Sequence, residues 1–174
     1  YGERVRTITT NLVWHQNGAG GALPANRVDG GLWKYGSQEG NGPSGSLLVS
    51  FWQTPFVIEP MVRAYVLTDG TDIANFIRRT GNALKYGGKS YGPTQRTVYT
   101  GVNENLRLVD YVTLVDGTTY AADGAGPEHS ASVAGAMAWA WYFSRLTGQP
   151  DDSLRAAANE LYRTFDLEIN EWTR

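Results

Sequence analysis

Four stretches of the chain repeat apolar positions at helical spacing. The first, "SLLVSFWQTPFVIEPMVRAYVLT" (residues 46–68), is apolar nearly all round, the pattern of a buried helix. One reading puts Thr54 at the N-cap and Pro55 at the first helical position. Pro60 then falls in the first two turns, where its missing N–H costs little or adds a kink. The second, "TDIANFIRRTGNALK" (71–85), is amphipathic through Ile73, Phe76, Ile77 and Leu84. The third, "HSASVAGAMAWAWYFSRLT" (129–147), is Ala-rich and again apolar on most faces. The fourth, "DDSLRAAANELYRTFDLEI" (151–169), carries Leu154, Ala158, Leu161 and Phe165 on one stripe. Strand patterns fall elsewhere. "YVTLVDGTTYAA" places a two-residue Asp-Gly turn between β-formers, a hairpin signal, and the N-terminal "ERVRTITTNLVW" reads as a strand.

The helical stretches pair off. "YVLTDGTD" joins the first two and "SRLTGQPDD" the last two; Leu67-Thr68 corresponds to Leu146-Thr147, 79 residues on. Each turn has Gly near the end of one helix and an acid at the start of the next. A buried helix, a tight turn and an amphipathic helix thus occur twice, a helical-hairpin repeat of long period. The expected architecture is mainly α: hairpin 1 over about 46–85, a β-containing insertion over about 87–127, and hairpin 2 over about 129–169, in a single domain.

This combination of buried helix, "L-T-G-x-P-x-D"-type turn and amphipathic outer helix resembles the (α/α) toroids of the six-hairpin glycosidase and polysaccharide-lyase superfamilies. The similar parts are residues 52–85 and 128–165, and they supply at most two hairpins. The resemblance implies a piece of a larger toroid or a smaller helical domain of that kind. It also implies a secreted bacterial protein, extracellular or periplasmic, acting on carbohydrate.

Composition narrows the function. Apolar residues make up 41% and charged residues 18% of the chain, with a net charge of −2 and no cysteine. Disulfides, Cys-ligated zinc and a thiol nucleophile are excluded. Basic residues are neither in excess nor clustered, so no nucleic-acid partner is expected. No apolar run is long enough to predict a membrane span. Tyr1 in place of Met leads us to expect a processed or excised piece. The 174 residues include 21 Gly, well above the usual ~7%, with 6 Trp and 10 Tyr. Aromatics are threaded through the Gly-rich segments, which therefore read as long loops rather than linkers.

If the two hairpins pack side by side in the same sense, both long loops lie at one end with the positive poles of the two inner helices. Function is expected there. Glu128 and His129, in "GPEHS", sit where loop becomes helix. A glycosidase needs two carboxylates across a cleft; Glu39 and Glu128 are the pair on opposite loops, with Asp123 in reserve. A lyase needs a base and a group that neutralises a uronate; His129, His15 or Tyr91 suits the first role and Arg27 or Arg96 the second. Trp33, Tyr35, Tyr91 and Tyr120 supply faces on which sugar rings stack, with His15 beside them. The partner expected is a carbohydrate polymer or oligosaccharide, with no cofactor and no metal.

Plainer roles compete. Glu128 favours a helix start by ~0.3–1 kcal/mol through the macrodipole alone, and His129 suits packing or a bond to a loop carbonyl. Trp52, Phe56, Trp139 and Trp141, on the inner helices, are expected in the core. Glu59 is odd in so apolar a helix, and is either exposed by the Pro60 kink or paired with Arg63. "GNALKYGGKS" and "GPSGS" miss the glycines of a phosphate loop and of a nucleophile elbow.

Overall fold

The computed structural model describes residues 2–17, 29–35, 47–49, 53–86, 93–97, 105–109, 112–114, 119–121 and 127–172. Five helices dominate: α1 (Gly2–Gln16), α2 (Pro55–Thr68), α3 (Thr71–Tyr86), α4 (Pro127–Leu146) and α5 (Asp152–Trp172). Between them lie short strands: β1 (Trp33–Tyr35), β2 (Leu47–Val49), β3 (Pro93–Thr97), β4 (Asn105–Val109), β5 (Val112–Leu114) and β6 (Thr119–Ala121). One antiparallel sheet has the order β1-β2-β5-β6; β3 and β4 form a separate pair. The Asp116-Gly117 turn lies outside the described residues.

The N-terminal segment, expected as a strand, is helix α1. Its run Thr7-Ile8-Thr9-Thr10 favours extended structure locally. Against it, Val5, Thr9, Leu12, Val13 and Gln16 recur at helical spacing and pack inward. Burial of that stripe overrides propensity. Residues 47–49 likewise pair as β2 rather than extending the helix that follows, and α2 begins at Pro55.

The core forms where α4 is enclosed by α3 and α5. Val133, Met137, Ala140 and Phe143 meet Phe76, Ile77 and Leu84 of α3 and Leu154, Ala158 and Leu161 of α5, all buried. Gly81 allows the closest approach: a Cβ there would lie 2.3 Å from the Ala140 Cβ and 3.1 Å from Leu154 Cδ2. Lys85, near the end of α3, binds Asp151 and Ser153 at the start of α5. Asp151 also caps α5 by accepting the Ser153 N–H at 3.0 Å. At the other flank, the buried Gln16 amide donates to the Gly30 carbonyl (3.1 Å), the Phe76 carbonyl (3.1 Å) and Thr80 Oγ1 (2.9 Å). Arg79 adds Asp29 and Asn17, each at 2.6 Å. These bonds fasten α1 to α3.

The two tight turns are built alike. Thr68 Oγ1 donates to the Ala64 carbonyl at 2.8 Å, and Thr147 Oγ1 to the Phe143 carbonyl at 2.8 Å. The next residue in each turn is left-handed, Asp69 at φ 50° and Gly148 at φ 70°. The periodicity visible in the sequence is thus repeated in the hydrogen bonds. Tyr65 meets Phe143 edge-on at 4.9 Å, and residues of both turns wall one small cavity, among them Asp69, Thr71, Thr147 and Gln149. Hence α2 and α4 run parallel, their tight turns together at one end and their beginnings together at the other.

Candidate functional site

A cleft opens between the first halves of α2 and α4. It has a volume of about 490 Å³, within the ~300–1,000 Å³ range of small-molecule sites. Pro55, Phe56, Ile58 and Glu59 wall it from α2; Ala131, Ser132, Gly135, Ala136 and Trp139 wall it from α4. Both sets follow helical spacing, so each helix offers one continuous stripe.

Two of those aromatics correct the sequence reading. Phe56 and Trp139, expected in the core, are 68% and 38% exposed. Trp141 is partly buried, packed against the core while its indole N–H donates to Asp152 at 2.9 Å; Trp52 lies outside the described residues. Pro60 explains part of this. It has no N–H to give to the Phe56 carbonyl, and its ring crowds that carbonyl, so the Phe56–Pro60 side of α2 faces outward. The rest is a matter of neighbours, since no described helix lies across that face.

Gly135 is the floor of the cleft. A Cβ there would meet nothing within 4 Å, so packing does not require glycine. A mid-helix glycine nonetheless costs roughly 0.5–1 kcal/mol against alanine. The result is one exposed point of helix backbone in a cleft that two exposed rings, Phe56 and Trp139, also wall. Glu59, in the same wall, is exposed. It makes no ion pair with Arg63 among the described residues, and Arg63 lines the groove between α1 and α2 instead.

The described residues locate the expected site residues only in part. Glu39, Asp123 and Tyr91 lie outside the described residues. Glu128 and His129 follow Pro127 in the first turn of α4, so the helix starts two residues earlier than expected. Position 128 stands one turn before Ser132, at the end of the cleft; only the backbone is described there. His15 is exposed in the last turn of α1 and does not wall the cleft. Trp33 and Tyr35 belong to β1 and Tyr120 to β6. Those are the two outer strands of the sheet, separated by three strand spacings of ~4.8 Å, or about 14 Å. Sequence reasoning missed Phe56, Gly135 and Trp139 as cleft residues. Glu59 gave the one usable signal, as a carboxylate in an otherwise apolar stretch.

Perturbed ionisable groups lie elsewhere. A hydrogen bond to Asp69, with burial adding to it, raises the Tyr65 phenol at the tight-turn end. Burial raises the Asp151 carboxyl, but bonds from Lys85 and Ser153 outweigh it and hold the group below the usual carboxylate range. The Trp141 N–H, then Arg145, lower Asp152. These belong to the joints between helices rather than to the cleft. Among the described residues no three His, Cys, Asp or Glu side chains come together as metal ligands, and no helix is long and apolar enough to cross a membrane. Comparison with protein-family models, with curated proteins and with solved structures finds no match to this chain.

Proposed function

We propose that this chain is a carbohydrate-handling helical domain whose ligand lies in the α2–α4 cleft. The observation that carries the reading is one cleft walled by two exposed aromatic rings, the bare backbone of Gly135 and a carboxylate. Sugar rings present C–H faces to aromatics and hydroxyls to carboxylates. The reading also takes the two hairpins as units of (α/α)-toroid type, supported by their parallel inner helices and matching turns. It is foremost a binding reading, because the described part of the cleft holds one carboxylate, Glu59. Hydrolysis requires a second, for which Glu128, Glu39 and Asp123 are the candidates.

The test is a titration of the chain with neutral and acidic oligosaccharides, read by tryptophan fluorescence and by new reducing ends or unsaturated uronates. Binding that Trp139→Ala abolishes while helicity is kept supports the site. No binding by any sugar refutes the reading.

One observation favours a second reading. Val66 and Leu67 on α2 and Tyr142 and Leu146 on α4 are also exposed, so the apolar face continues past the cleft. Large exposed apolar faces mark protein contacts. Sedimentation velocity across a concentration series separates the two, because self-association with no sugar response favours the protein surface.

A further inference from the structure

We infer that Glu59 determines the charge of the ligand, so that the cleft takes a glycan without carboxylates and rejects uronates. The inference rests on the carbohydrate reading above and adds a specificity-determining residue to it. Among the described residues that wall the cleft, Glu59 alone bears a formal charge. No hydrogen bond or ion pair neutralises it among the described residues. The nearest cation along the same helix, Arg63, stands one turn on; it makes no ion pair with Glu59 and lines the groove with Ile8 and Leu12.

The helix starts oppose that sign only in part. A helix start attracts anions through its free N–H groups, and at α2 Pro55 removes one of these and itself lines the cleft. α4 also begins with a proline, Pro127. Apolar walls lower the local dielectric, so a second carboxylate near Glu59 is penalised more than in water. At a separation of about 6 Å and an effective dielectric of about 40, the repulsion amounts to roughly tenfold in affinity. A hydroxyl at the same position donates to Glu59 instead, in a charge-assisted bond.

The experiment compares wild type with Glu59→Gln, using cello-, manno- and xylo-oligosaccharides against oligogalacturonates of equal length, at low and moderate salt. Wild type is expected to bind at least one neutral series about tenfold more tightly than the uronates. Glu59→Gln, which keeps the shape of the side chain, is expected to reduce that preference to within about twofold. Equal affinity, or tighter uronate binding, in the wild type overturns the inference and leaves the carbohydrate reading standing. A preference that persists in Glu59→Gln overturns the role of Glu59. Failure of every sugar to bind the wild type removes the carbohydrate reading itself, and this inference with it. Since Glu59 is exposed, the variant is expected to fold; an unchanged circular-dichroism spectrum checks this.

Discussion

Replacing Gly81 with alanine tests the helix packing most directly. Alanine is normally the better helix residue by about 1 kcal/mol. Here its methyl would sit 2.3 Å from the Ala140 Cβ, whereas carbon atoms pack at about 3.5–4.0 Å. Both atoms are fixed to helix backbones, so the conflict is relieved only if α3 and α4 move apart by more than about 1 Å. Overpacking of this kind costs about 1–3 kcal/mol, and the lack of any flexible partner places it near the upper end. Set against the propensity gain, Gly81→Ala should destabilise by about 2 kcal/mol. Ala140→Gly alone should cost about 2 kcal/mol as well, about 1 from helix propensity and ~0.8 from a lost buried methyl. Together the two changes exchange the methyl from one helix to the other. The remaining strain is the 3.1 Å approach to Leu154, so the double variant should lie within about 1 kcal/mol of wild type. Additive singles would predict about 4, and the difference is a coupling of about 3 kcal/mol, at the upper end of the range for residues in contact. Urea unfolding followed by far-ultraviolet circular dichroism measures all four proteins. A stabilised Gly81→Ala, or an additive double variant, would refute the close α3–α4 crossing.

Other outcomes follow from the same reasoning. Gly135→Ala, with no atom in its way, should raise stability by roughly 0.5–1 kcal/mol and weaken sugar binding, as thermal melts and titration would show. Asp69→Gly relieves about 1 kcal/mol of left-handed strain but removes the hydrogen bond to Tyr65, a loss of similar size. The urea midpoint should therefore barely move; a large shift either way would contradict this. Asp151→Asn keeps a capping oxygen but leaves the 5%-exposed Lys85 side chain without its counter-charge, a loss of roughly 1–3 kcal/mol at pH 7 for a partly exposed pair. Because the folded Asp151 carboxyl lies below its usual value, the stability it contributes is present above the unfolded pKa of ~3.9 and disappears as pH falls through the folded value. Wild type and Asp151→Asn should therefore converge in stability below about pH 4, and a gap that stays constant with pH would count against the pair.

The two helical hairpins were legible because their periodicity records which side is buried. Ile73, Phe76, Ile77 and Leu84 of α3 are all buried, and Leu154, Ala158 and Leu161 of α5 equally so. α1 was not legible, because four consecutive β-formers outweighed a sparse stripe in which Thr9 and Gln16 are the buried members. A polar residue that is buried because it bonds another helix leaves no mark in hydropathy. Phe56 and Trp139 failed for the converse reason. On a helix that is apolar all round, sequence does not reveal which side lacks a neighbour. That the two inner helices begin at the same end could be argued from loop lengths and helix directions. The rings and glycine that shape the cleft could not, since their meaning depends on α2 and α4 lying side by side.

Gln16 has a consequence for how the molecule opens. α4 packs against three other helices on its buried side, and the amides there should be the last to exchange with solvent. α1 is held by the Gln16 amide and Arg79, and by Val5, Leu12 and Val13 packed on the core, against a groove that stays partly open toward α2. Those contacts reach α3, but none of them joins the two helices of a hairpin. The chain is therefore expected to open at two levels: a hairpin block that melts as one, and an N-terminal helix that detaches more readily and uncovers Met61 and Ala64 when it does.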